Sequence, residues 1–269
     1  VSSYVFTKAI AAGAILIPFF YSVFKSGEIS DELKWWSIGI ALIGLLATGL
    51  LLIKDLDQPT RFVNVLLRPQ WKSWLVRGGY SITAYGALLT LWALSIFFNW
   101  GQLEPFVLGI TALVAVIVAI YTAFLFAQAK GRDFWQSPML VFHMLNHSVM
   151  AGAAIFGLLT ILLQTSDQWS VFVSNVLLVS IVFNLMIVLF ELVTNHPTKD
   201  AKAVVKMITK GRYRSLFWIG TILIGNVLPL IIMFTGMSYA LPLAALCVLI
   251  GIYATEKIWV EAPQRIALS

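Results

Sequence analysis

Several groups of side chains in this sequence could do chemistry. Tyr4 and Lys8 stand four residues apart, so a phenol and an ammonium share one helix face. Together they could hold the carbonyl oxygen of a quinone head group; the competing reading has Lys8 snorkelling to the nearer membrane surface. Tyr121 carries an O–H on an apolar body, which suits a quinone oxygen or ordinary packing equally. His143 and His147 are also four apart, with Asn146 beside them. These imidazoles could relay protons, hydrogen-bond a quinone, or simply bond to a neighbouring helix. Two axial ligands of one haem must come from different helices, so this pair cannot hold a haem alone, and His196 is the remaining histidine. Asp55, Asp57 and Glu191 could accept protons from a quinol, or form salt bridges with Arg61 or Arg77.

These residues must be positioned by very apolar elements. The 269 residues are 60% hydrophobic and 11% charged, with a mean hydropathy of +0.90. A water-soluble domain carries roughly twice that charge fraction. Crossing a bilayer takes about 20 apolar residues in a helix, and eight such runs are visible, at about 2–25, 33–54, 74–98, 105–128, 138–163, 169–194, 215–236 and 239–260. They are continuously apolar and much longer than the ~10-residue alternating strands of a membrane barrel. The fold class expected is therefore all-α and integral to the membrane. The lone Cys247 excludes a disulfide framework and a thiolate-held cluster. No cleavable signal is expected, because the first run is too long for a signal core and no A-x-A site follows it. A start at Val1 rather than Met is what a piece of a longer protein would show.

The pI of 9.5 reports membrane topology and not nucleic-acid binding. Lys54, Arg61, Arg68, Lys72, Arg77, Lys130, Arg132, Lys199, Lys202, Lys206, Lys210, Arg212, Arg214, Lys257 and Arg265 fall on one face, side A, with both termini. Side B has Lys25 and Lys34. The positive-inside rule makes side A cytoplasmic; the alternative is that part of the basic excess matches an acidic docking surface of a partner and does not report topology. The side-A loops after helices 2 and 6 are long, whereas those on side B are short. A dense segment from Lys54 to Phe62, continuing from Arg68 to Gly78 and including Trp71, Lys72 and Arg77, reads as a platform for a partner. Small residues at Ala11–Ala14, at Gly39, Gly44 and Gly49, and at Ala151–Ala154 should let helices approach closely. Pro18 and Pro229 should kink helices 1 and 7. Acids and then a proline follow helices 2 and 6 alike, an echo that suggests two four-helix halves, about 1–135 and 136–269. The ionisable groups within the spans gather in the side-A half, with no ladder of acids or histidines crossing the bilayer.

Three segments resemble the NrfD-like, polysulfide-reductase membrane subunits: Tyr4–Gly13; Asp55-Leu56-Asp57-Gln58-Pro59-Thr60-Arg61-Phe62 through Ser73-Trp74 and Gly78; and Tyr121–Leu125 with Ala129–Pro138. The resemblance implies two side-by-side four-helix bundles, no haem in this subunit, and an iron–sulfur subunit docked beside a quinone pocket. Within it, Tyr4, Lys8 and Tyr121 match pocket positions, and the helix-5 histidines and the acid after helix 2 are proton acceptors by analogy. Lys8 departs from the neutral or imidazole side chain of some members. The expected function is thus a quinone- or quinol-binding subunit (menaquinone or ubiquinone) of a respiratory oxidoreductase in a prokaryotic plasma membrane. It would not be catalytic alone. Its partners would be an iron–sulfur subunit and a catalytic subunit such as a molybdopterin enzyme, with the docking residues Arg61, Arg68, Trp71, Lys72 and Arg77. A secondary transporter and a purely structural anchor are the alternatives.

Overall fold

The computed structural model describes residues 1–25, 29–55, 67, 69–163, 165–194 and 198–267. Among them there is no strand, and eight helices are long and apolar enough to cross a membrane. We label the helices α1 (Ser2–Lys25), α2 (Asp31–Lys54), α3 (Trp74–Phe97), α4 (Leu103–Ala127), α5 (Met139–Leu159), α6 (Asp167–Val193), α7 (Lys199–Thr209), α8 (Leu216–Met233) and α9 (Ala240–Gln264). All but α7 are candidate spans. Their ends lie within a few residues of those read from hydropathy, as expected when length is set by the bilayer. Several starts are marked by side-chain caps: Ser30, Ser166 and Thr198 accept from the backbone N–H of Leu33, Trp169 and Ala201, each at 3.3 Å.

α1 packs against α2 and α4, and α3 closes the group by packing on α2 and α4. α5 packs against α6 and α9, and α8 lies against α9 and, more lightly, α6. The seam between these groups is α1 against α5. Water does not drive helices together inside lipid, so close backbone approach must supply the attraction through dispersion contacts. Gly13 and Gly152 provide it: a Cβ on Gly13 would stand 2.1 Å from the Ser148 carbonyl oxygen, and one on Gly152 would stand 2.4 Å from that of Gly13. The expectation for Gly39, Gly44 and Gly49 needs correcting, since only Gly44 faces a helix, with Ala11 3.0 Å from a built Cβ. Gly39 and Gly49 have nothing within 4 Å.

Two further features depart from the sequence reading. The connection after α6 reads as loop from sequence, yet it contains α7. Its Ala201, Val204 and Ile208 are buried while Lys202, Lys206 and Lys210 are not, the 3–4 spacing of an amphipathic helix lying at the interface. The second concerns α8, which winds with i→i+5 hydrogen bonds over Leu216–Val227 before Pro229. In ordinary α geometry the Pro229 ring would clash with the Gly225 carbonyl. The wider winding avoids that clash and presents Gly225 to Gly251 of α9, where a Cβ on Gly251 would meet the Gly225 Cα at 2.0 Å.

On side B, Lys34 bonds Asp31 at 3.1 Å and Glu104 at 2.7 Å, joining the starts of α2 and α4. On side A, Gln128 ties the approach to α3 to the end of α4, accepting from the Trp74 N–H (2.9 Å) and donating to the Lys72 carbonyl (3.0 Å). Trp74 stacks on Phe124 at 4.4 Å. Arg132 donates to the carbonyls of Pro263 and Ile266, fastening the α4–α5 connection to the end of α9.

Candidate functional site

Lys8 does not snorkel. It is buried, with Nζ donating to the Ala119 carbonyl (2.8 Å) and to Thr122 Oγ1 (2.6 Å) on α4. Nζ also lies 4.8 Å from the centre of the Tyr121 ring, a cation–π distance. Tyr121 is buried beside it, and its ring lies against α3, where a Cβ on Gly78 would come within 2.3 Å of it. The Tyr121 hydroxyl has no hydrogen-bond partner among the described residues. Tyr4 is also buried, in an apolar cluster that includes Leu52 of α2. Leu52 and Gly79 in turn line a cleft of about 380 Å³ between α2 and α3, whose walls are otherwise mostly leucine and isoleucine.

The second gathering lies across the seam, on the helices packed around α5. His143 Nδ1 is 2.9 Å from Glu191 Oε2 at the side-A end of α6. Trp259 of α9 donates its indole N–H to the same oxygen, also at 2.9 Å. His147 Nδ1 is 2.6 Å from Glu256 Oε1 of α9, and His147 Nε2 is 3.1 Å from Asn184 Oδ1 of α6. The two imidazoles sit 4.2 Å apart, centre to centre. Asn184 Nδ2 donates to Asn226 Oδ1 (2.9 Å), and Asn226 Nδ2 donates to the Thr221 carbonyl (2.7 Å). His143, His147, Glu191, Glu256, Asn184 and Asn226 are all at most 3% exposed. Charges sunk this deep are tolerated only when paired and hydrogen-bonded.

The structure therefore brings Tyr121 to Lys8, and Glu191 to His143. Glu191 bonds an imidazole and an indole, so its carboxyl reaches toward α5 and α9; its expected pairing with Arg61 falls outside the described residues. Asp55 lies exposed at the side-A end of α2, 2.5 Å from the Val1 nitrogen. Arg77 bonds the Trp71 carbonyl at 2.7 Å and stacks over Trp74, while Trp71 and Lys72 are exposed on side A. Asp57, Arg61, Arg68 and His196 lie outside the described residues. Asn146, beside the histidines, donates to the Ser180 carbonyl at 3.0 Å.

Glu256, Asn184 and Asn226 escaped the sequence reading. Glu256 had a usable signal, since it is an acid inside the last apolar run, and an ionisable group at membrane depth is a functional candidate by default. The asparagines had none, because an amide within an apolar run does not say which helix it faces.

An all-helical membrane protein with ionisable groups buried in its side-A half is the class that fold and site define. More particularly, the protein belongs to the NrfD polysulphide reductase family, whose pattern matches residues 1–261. It is also similar to the C subunit of polysulfide reductase from Wolinella succinogenes, with 26% identity over 94% of this sequence and 90% of that one. The protein is accordingly a multi-pass membrane subunit of a redox complex.

Proposed function

We propose that this subunit binds a quinone or quinol in its side-A half and exchanges electrons with an iron–sulfur subunit docked on side A. The redox chemistry belongs to the quinone and the clusters; the membrane subunit binds, orients and handles protons. The observation that carries this reading is the buried Lys8–Tyr121 pair beside Tyr4, a short way from the α2–α3 cleft. An isoprenoid tail fits an apolar cleft open to lipid. A head group reaching past Gly78 would find the Tyr121 hydroxyl, which has no competing partner among the described residues. Lys8 beneath the Tyr121 ring, when protonated, would place positive charge where a reduced quinone oxygen develops negative charge.

His143, His147, Asp55, Asp57 and Glu191 are the groups we assign to proton exchange, and Arg61, Arg68, Trp71, Lys72 and Arg77 to docking. The two groups of packed helices, α1–α4 and α5, α6, α8 and α9, are read as two four-helix bundles. The similarity to one subunit of a polysulfide reductase supports partner subunits, here an iron–sulfur subunit and a catalytic one such as a molybdopterin enzyme. The positive-inside rule puts side A, with the lysines of α7, in the cytoplasm of a prokaryotic cell.

The test is turnover and quinone content of the purified complex. Lys8→Ala and Tyr121→Phe should both lower quinol-dependent turnover. Unchanged quinol kinetics in both variants would overturn the site.

A further inference from the structure

We infer that the quinone's protons cross the protein through Glu256, His147, His143 and Glu191, and meet water in a side-A cavity at the start of α5 and the end of α6. This rests on the quinone reading above and names the route, the order of carriers and the mouth.

The order of donors and acceptors follows from one fixed point. The Thr221 backbone carbonyl can only accept, so the Asn226 group facing it is the amide N–H. Asn226 then turns its oxygen to the Asn184 amide nitrogen, and Asn184 turns its own oxygen to His147 Nε2. An amide oxygen only accepts, so His147 Nε2 carries a hydrogen. The 2.6 Å contact between His147 Nδ1 and Glu256 Oε1 therefore holds one further proton, either on the imidazole as an ion pair or on the carboxyl as a neutral pair. That proton can move without disturbing any other bond in the series.

The next carrier is complementary. Glu191 Oε2 accepts from the Trp259 indole, which is a donor only, and lies against His143 Nδ1. With a carboxylate there, His143 Nδ1 carries the hydrogen and Nε2 carries a lone pair. That Nε2 is buried and has no hydrogen-bond partner among the described residues. Ligand-type N and O atoms of His143, His147 and Glu256 lie within 4.8 Å of one another. A proton leaving the His147–Glu256 pair can land on His143 Nε2, while the hydrogen on Nδ1 passes to Glu191. Ring rotation then restores the starting tautomer. Proton uptake runs the same steps in reverse.

The mouth of the route is visible. Glu191 lines a cavity of about 350 Å³ walled also by Asp133, Ser137, Thr194, Thr198 and Ala201, on side A between the starts of α5 and α7 and the end of α6. At the inner end, α1, which carries Lys8, packs against α9, which carries Glu256, so the route begins on a helix next to the Lys8–Tyr121 pair. The same three residues could be drawn around a metal ion, and the metal content of the complex distinguishes that reading from the relay.

The experiment uses the intact complex, with quinol turnover, quinone content and metal content measured together. Glu191→Gln should lower kcat by about tenfold or more, below the full 10²–10⁴-fold that a positioned proton-transfer group contributes. KM and quinone content should stay near wild type. Part of the rate should return with a small weak acid such as formate, and the solvent deuterium isotope effect should grow. His143→Gln, which keeps an N–H for Glu191 but cannot relay, should behave alike without rescue, and it stands in if Glu191→Gln fails to assemble. Wild-type kcat in either variant overturns the route, as does stoichiometric metal bound at these residues in the wild-type complex. Loss of quinol turnover on Lys8→Ala with wild-type kcat in Glu191→Gln would sink the route alone. A wild-type complex without quinone or quinol turnover would sink the functional reading beneath it.

Discussion

His147 of α5 and Glu256 of α9 meet at 2.6 Å in the packed interior, both all but inaccessible. Two helices far apart in sequence are thereby joined through ionisable groups whose separate burial would be prohibitive. Truncating one partner leaves the other uncompensated. Glu256→Ala should cost about 3–5 kcal/mol of stability, read as a lower Tm of the detergent-solubilised complex. Glu256→Gln, which can still bond a neutral imidazole, should lose less.

Asn226 acts at a distance from the histidines. Replacing it by Leu unpairs the Asn184 amide and frees it to turn over, so the hydrogen on His147 Nε2 is no longer specified. An unsatisfied buried amide costs about 1–3 kcal/mol. Asn226→Leu should show that loss in Tm together with slower turnover. Turnover equal to wild type would argue that the amide series is structural only.

Tyr121 separates function from stability. Its hydroxyl makes no hydrogen bond of standard geometry among the described residues and has only Thr122 near it, so Tyr121→Phe should change Tm little while quinol turnover falls. Gly78→Ala should impair the same activity by a different cause, because its Cβ must displace the Tyr121 ring. Binding of a quinone analogue, followed by inhibitor titration, would weaken in both.

The α1–α5 seam tolerates no added atom. Gly152→Ala puts a methyl 2.4 Å from the Gly13 carbonyl oxygen and should prevent assembly of a monodisperse protein. Gly49→Ala and Gly39→Ala, with open space around them, should purify normally and gain helix propensity of up to ~1 kcal/mol each. Size-exclusion profiles of the matched set check this.

Gln128 holds the segment before α3 with paired bonds to Trp74 and Lys72. Gln128→Ala should cost about 1 kcal/mol and loosen a surface assigned to docking. Less iron–sulfur subunit should then co-purify at high salt, by subunit stoichiometry.

The spans, their alternation across the bilayer and the concentration of ionisable groups toward side A were legible in the sequence, because hydrocarbon thickness and charge burial act on each segment separately. From the residues alone, Tyr121 and Lys8 could be given a shared depth, and the family resemblance put both in one pocket, but their contact could not be read. Glu191 bonding to His143, Glu256 to His147, and the asparagine series back to Thr221 depend on which faces of α5, α6, α8 and α9 turn inward. In spans apolar all round, no hydrophobic stripe announces that rotation. It is decided by steric fit, where Gly13 meets Gly152 and Gly225 meets Gly251, and by the widened winding of α8 that brings Asn226 to Thr221 and Asn184. Composition could place a carboxylate at a depth; only the packing of one backbone against another could give it a partner.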